Sequence, residues 1–331
     1  MAVNGSLCPD EKLVDTISRL APGQRLIQQG ILLAAKISAY QHRGELDQGQ
    51  AVEYSEPVTL ITRPWHIFKQ AGEQIRKDYE VLTRNRQSAR INDPHTIVYN
   101  PEQVFVEEGV SIKAAIINAE NGPVYLGANS RVEEGAVIRG PFGLGAGSVV
   151  NAQARMRGDI AIGPMCKVGG EVSNSIIFGY SNKGHDGFLG NSVLGEWCNI
   201  GADTNTSNLK NNYSEVKVWD YAKGGFTATG ELFCGLFMGD HSKSGINTMF
   251  NTGTVVGVAA NVFGAGYPRT FIPSFAWGGQ TGFTTFRPAK VKEMALAAMP
   301  RRGQAFTEVE ERIIDKVFAL SARYRTWEQK A

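Results

Sequence analysis

Large aliphatic residues recur every six positions through the middle of the chain: Leu126, Val132, Ile138, Leu144, Val150, Met156, Ile162 and Val168. Four residues after each slot comes a mostly small one, Ser130, Ala136, Ser148, Ala154 and Cys166, with Phe142 and Ile160 as larger members. Glycine directly follows several slots, at Gly127, Gly145, Gly163 and Gly169. A period of six fits neither a helix nor an alternating strand. It fits a parallel β-solenoid in which each hexad forms one flat side of a triangular coil. The aliphatic fills the interior, the small residue sits near the corner and glycine relieves the turn. A coil buries its aliphatics only against the coils above and below it, so many coils are needed.

The phase breaks after Val168 and resumes at Phe188, Leu194 and Ile200. It breaks again and returns at Leu232, Met238, Phe250, Val256 and Val262, with Ser244 an imperfect slot. Breaks predict loops leaving the solenoid over residues 173–187 and 206–229, and loops carry function.

The flanks have other periods. Residues 7–20 read as a helix through Leu13, Val14, Ile17 and Leu20, and 58–62 as a short strand. After Arg63-Pro64, the residues Trp65, Phe68, Ile75, Tyr79 and Leu82 share a helical face. Near the end, 289–299 reads as a helix. Thr307 and Glu310 form a capping box that opens another, with Val309, Ile313, Val317, Leu320 and Tyr324 inward. The expected division is a partial α/β segment over 1–95, the β-helix over 96–286 and a helical extension over 287–331.

Composition sharpens this division. Of 38 glycines, 31 fall between Pro101 and Phe286. With 42% apolar and 20% charged residues in 331, the chain can bury a core. Its 34 basic and 32 acidic residues give a net charge of +2, which provides no global field for nucleic acid or an anionic membrane. No apolar run approaches the ~20 residues that span a bilayer, and the first residues lack the basic and apolar regions of a signal peptide. Cys8, Cys166, Cys198 and Cys234 have neither Cys-x-x-Cys nor metal-ligand spacing, which suits reduced thiols in the cytoplasm.

Three segments carry chemistry: Asn182-Lys183-Gly184-His185-Asp186-Gly187-Phe188-Leu189-Gly190, Asn199-Ile200-Gly201-Ala202-Asp203-Thr204, and Gly239-Asp240-His241-Ser242-Lys243-Ser244-Gly245-Ile246-Asn247. With the hexads, they resemble the acetyltransferase half of the bifunctional N-acetylglucosamine-1-phosphate uridyltransferase / glucosamine-1-phosphate acetyltransferase family, in its archaeal and Bacteroidetes-type sugar nucleotidyltransferase-like form. The resemblance covers roughly residues 55–330. It implies a left-handed parallel β-helix, a homotrimer with composite sites, and acetyl-CoA as the cofactor.

In that family a nucleotidyltransferase domain precedes the solenoid and opens with a glycine-rich nucleotide loop. No such loop appears in the first 100 residues, which suits a truncated or degenerate domain without uridylyl transfer of its own. The resemblance makes His185 the general base. It assigns Asn199, Asn208, Lys183, Lys243 and His241 to the substrate, a sugar phosphate or amino sugar, and Ala202 and Asp240 to the cofactor.

Some matching positions depart from the family. Phe188 replaces a tyrosine, Asp203 replaces a glycine, and Ser173 stands where a basic residue is usual. These departures leave a non-catalytic or regulatory trimeric solenoid as the alternative. A zinc site of three histidines is disfavoured, because His185 and His241 are far apart in sequence and no close histidine pair exists.

Overall fold

The computed structural model describes residues 1–36 and 49–330. His42, noted on the N-terminal flank, lies outside the described residues. The chain divides into two compact units, Met1–His66 and Ile67–Ala331.

In the first unit a four-stranded sheet runs in the order Ala2–Val3, Ile31–Ala35, Gln24–Gln28, Gln50–Glu53. Helix α1, Glu11–Ser18, is capped by the Asp10 carboxylate, which accepts from the Leu13 N–H at 2.8 Å. Leu13, Ile17 and Leu20 pack with Leu26, Leu33 and Tyr54, while Val14 of the expected face is 48% exposed. The sequence put Leu7 at the start of this helix, but Leu7–Cys8 is a strand paired antiparallel with Thr59–Leu60.

The second unit is a β-solenoid of about ten turns. All eight slots of the uninterrupted phase are at most 3% exposed. The parallel ladders stack them in columns. One face carries Leu126, Leu144, Ile162, Ile177, Leu194, Met238, Val256 and Ile272 in successive coils. The small corner residues bond coil to coil. Ser148 Oγ donates to the Gly163 carbonyl at 2.8 Å and accepts from the Cys166 N–H at 2.8 Å. Ser181 does the same between the Gly195 carbonyl and the Cys198 N–H. Burial pushes the Cys166 thiol up to about 11, and the Cys198 and Cys234 thiols to about 12, so all three stay protonated.

The first phase break is not a loop. Strands Glu171–Ser173, Ile176–Ile177 and Asn182–Lys183 continue the coil without a gap. Three sides are shortened, the one from Val168 to Val172 to four residues and those from Val172 to Ile177 and from Leu189 to Leu194 to five, and the inward positions become Val172, Ile177, Lys183, Leu189, Leu194 and Ile200. The inward residue is therefore Leu189, 1% exposed, rather than Phe188. The second break is a true excursion, and it contains an antiparallel hairpin of Lys217–Asp220 with Gly225–Ala228. Leu232 belongs to it and is 47% exposed, so it fills no slot.

Helix α2, Pro64–Thr83, buries Phe68 and Ala71, with Phe68 against Phe237, while Leu82 is exposed. At the C-terminus come α3, Pro288–Ala298, and α4, Glu308–Ser321, the latter opened by the expected capping box. The inward face of α4 differs from the expected one. Ile314 is buried and Val317 and Phe318 pack beside it, whereas Val309, Ile313 and Leu320 are exposed.

Candidate active site

One outer face of the solenoid carries a polar column. The residue before each inward slot on that face points away from the core, and the ladder aligns Lys167, Asn182, Asn199, Lys243 and Asn261 in successive coils. Two cavities open along it and share Lys167, Asn182 and Asn199.

The first cavity, of about 720 Å³, is lined by Arg131, Asn151, His185, Asn199 and Ala202 among others. His185 sits in an exposed turn that two side chains hold from below. Asn151 Nδ2 donates to the Gly184 carbonyl at 2.7 Å, and Lys183 Nζ donates to the His185 carbonyl at 2.6 Å. The imidazole is thus left for solvent or a ligand while its backbone is fixed. Ala202 lies on the next coil, where its carbonyl accepts from the Asn247 N–H at 2.8 Å.

The second cavity, of about 600 Å³, is lined by Tyr180, Trp197, Lys243, Arg301 and Arg302 beside the shared residues. Arg302 comes from a 3-10 turn, Pro300–Arg302, and donates to Asn182 Oδ1 at 3.1 Å. Burial lowers the Lys243 ammonium below its usual range. Burial likewise lowers His241, with the Lys243 charge adding to the effect and Asp240 opposing it. His241 stacks on Trp197, ring centroids 6.2 Å apart, and Trp197 stacks on Tyr180 at 4.4 Å.

Of the residues expected from sequence, His185, Asn199 and Ala202 meet in the first cavity. Lys243 lines the second, and His241 stacks on its aromatic wall. Three stand apart. Lys183 occupies an inward slot and is 1% exposed, so its ammonium turns back to the His185 carbonyl rather than out to a substrate. Burial pushes it down to about 8, although Asp186 and Asp203 favour its charge. Asn208 lies at another corner, where its Nδ2 donates to Asn191 Oδ1 at 2.8 Å. Asp240 Oδ1 accepts from the Glu196 N–H at 2.8 Å and holds that turn.

Lys167, Asn182, Tyr180, Trp197, Arg301 and Arg302 were not singled out from sequence. The first two precede inward positions, Val168 and Lys183, by one residue, a signal that the hexads contain. The arginines are brought in by tertiary packing and leave no local trace.

Residues 1–87 match the family model described as sugar nucleotidyl transferase. The bifunctional sugar-1-phosphate nucleotidylyltransferase/acetyltransferase of Sulfurisphaera tokodaii is 28% identical over 249 residues, which are 73% of this chain and 58% of that protein. The bifunctional protein GlmU of Methanocaldococcus jannaschii is 37% identical over 87 residues, 26% of this chain and 21% of that one. The uncharacterized acetyltransferase YaiX of Escherichia coli O6:K15:H31 is 37% identical over 153 residues, 45% of this chain and 66% of that one. The chain thus spans less than two thirds of the length of each of these curated relatives. Together with the hexads and the three glycine-rich segments, these matches support the resemblance of the chain to bifunctional sugar-1-phosphate nucleotidyltransferase/acetyltransferases.

Proposed function

We propose that this chain is an acetyl-CoA-dependent N-acetyltransferase acting on an amino sugar or its phosphate, with His185 as general base. The observation that carries the reading is the convergence of His185, Asn199 and Ala202 on one cavity, although they come from successive coils and were matched to the family position by position. The cavity suits an anionic carrier, since Arg131 and Lys167 line it beside Glu133, the single carboxylate there among the described residues.

His185 accepts the proton that the amine loses as its nitrogen bonds to the thioester carbonyl carbon. It returns that proton to the departing sulfur as the carbon–sulfur bond breaks, so the imidazole ends neutral and the products are an amide and a thiol. The Asn199 amide orients the acceptor. The Ala202 backbone meets the carrier of the acetyl group. Lys183 acts as a positioning residue through the His185 carbonyl, and its burial supports that role over substrate contact. We place the activity in a cytoplasmic homotrimer whose neighbouring subunits complete each site. Residues 1–95 are then a nucleotidyltransferase-like segment.

A screen of amino-sugar phosphates with acetyl-CoA identifies the acceptor. With it in hand, His185→Ala is expected to lower turnover by ~10²–10⁴-fold while acetyl-CoA affinity holds, because the base meets the amine and not the carrier. A variant with near-full rate would remove the assignment. An intact chain silent toward every amine and toward acetyl-CoA would favour the alternative of a non-catalytic solenoid, a reading supported by Asp203, which stands in the exposed turn after Ala202.

A further inference from the structure

The second cavity has a wall that solenoid geometry alone does not call for. One corner position adopts the left-handed backbone conformation in coil after coil: Asn129, Gly147, Met165, Tyr180, Trp197, His241, Ala259 and Phe275. Glycine, asparagine and alanine are the residues found there at Asn129, Gly147 and Ala259. Bulky side chains rarely adopt this conformation, and their presence calls for compensation. Phe275 has it, since its ring packs on Phe318 at 5.0 Å. Tyr180 and Trp197 instead lie half-buried along the cavity, their rings 5° from parallel, and His241 extends the stack at 7°.

Opposite polarity meets this wall. Lys167, Lys243, Arg301 and Arg302 line the same space, and among the described residues no carboxylate does. Four cations without a lining counter-ion suit a polyanion, and an aromatic wall suits a flat ring. The volume of about 600 Å³ falls within the ~300–1,000 Å³ usual for small-molecule sites.

We propose that this cavity binds a nucleoside 5′-diphosphate group, with the base against Tyr180 and Trp197 and the phosphates on the arginines and lysines. Such a group occurs in two ligands of the proposed reaction: a nucleotide-linked sugar acceptor, and the 3′-phosphorylated ADP portion of coenzyme A. Choosing between them rests on the acyl-transfer reading, whereas the binding itself does not. Because Lys167, Asn182 and Asn199 line both cavities, a ligand held here by its nucleotide can extend its other end toward His185.

Calorimetry on the full chain with UDP, ADP, adenosine 3′,5′-bisphosphate and inorganic pyrophosphate tests the site. At least one nucleotide is expected to bind more tightly than pyrophosphate, and less tightly as salt rises. Arg301→Gln combined with Arg302→Gln should weaken it by ~10-fold or more. Trp197→Asn, which keeps a residue tolerant of the left-handed conformation, should erase the advantage of nucleotide over pyrophosphate and leave pyrophosphate binding unchanged.

Coenzyme A displacing the nucleotide would support the proposal with the donor as source. Simultaneous binding of both would support it with the acceptor as source. Absence of nucleotide binding at millimolar concentration, or unchanged affinity in both variants, overturns it. Acetyl transfer to an amino-sugar 1-phosphate without nucleotide binding would overturn this proposal alone. Nucleotide binding without transfer to any amine would overturn the acyl-transfer reading alone.

Discussion

Lys183 and His185 lie two residues apart and face opposite ways, one into the solenoid and one out to the groove. The inward ammonium is the costly member. Its folded-state value of about 8 lies below the 10.5 of an unperturbed lysine. Between those values the unfolded chain binds more protons than the folded one, so Lys183 makes stability rise with pH across that window. Below about pH 8 the full cost is present. Lys183→Met, similar in length and uncharged, is therefore expected to raise the denaturation midpoint at pH 7, with the gain shrinking toward pH 10. Urea titrations of both proteins at several pH values check this, and the difference cancels the opposing effect of the buried thiols, which are raised in both. A gain that stays constant or grows with pH would mean that Lys183 is not carrying a suppressed charge.

At the scale of the element, the six-residue slot is as much about backbone as about side chains. Coils stack so closely that a Cβ on Gly145 would lie 2.4 Å from the Gly163 carbonyl carbon, whereas one on Gly143, in the same strand region, would meet nothing within 4 Å. Gly145→Ala is expected to cost about 2–3 kcal/mol or more by forcing two coils apart, and Gly143→Ala less than about 0.5 kcal/mol. Thermal unfolding of the pair decides it, and equal effects would contradict the packing.

This regularity is why the uninterrupted hexads were legible from Leu126 to Val168. Legibility failed where sides shortened to four or five residues, before Val172, Ile177 and Leu194, because a contraction without a chain exit looks the same as a loop. The outward placement of His185 and Asn199 was legible, His185 from its glycine-rich turn and Asn199 from its place one residue before the slot of Ile200. Lys183 was not, because a lysine in an aliphatic slot contradicts the pattern that identifies the slot. The capping box of α4 was readable from four residues, but its inward face was not. The buried Arg325, whose guanidinium lies 3.9 Å from the Phe318 ring centre and bonds Ser321 Oγ at 2.9 Å, reads as polar surface until its partners are known.

For the whole molecule, stacked coils share load with their neighbours only, so the terminal coil bears a surface that no further coil covers. Here the hairpin of Ala276–Gly279 with Gly282–Thr285 turns the last sheet antiparallel. Phe283 and Trp327 pack against the interior, with Trp327 Nε1 donating to Thr285 Oγ1 at 2.9 Å. That closure bears on what the molecule avoids becoming. The strand Phe271–Ile272 ends a nine-stranded parallel sheet that begins at Val104–Val106, so its outer edge matches, in direction and hydrogen-bonding pattern, the edge at which another copy begins. Such a head-to-tail contact has no reason to close on itself, and it would propagate as a filament. Light scattering of the intact chain is expected to report a trimer that does not grow with concentration, and a stable monomer would remove the composite site. Ending the chain before Trp327 is expected to give species that lengthen with concentration. A truncated protein that stays at the size of the intact one would show that the last few residues do not keep the solenoid from polymerising.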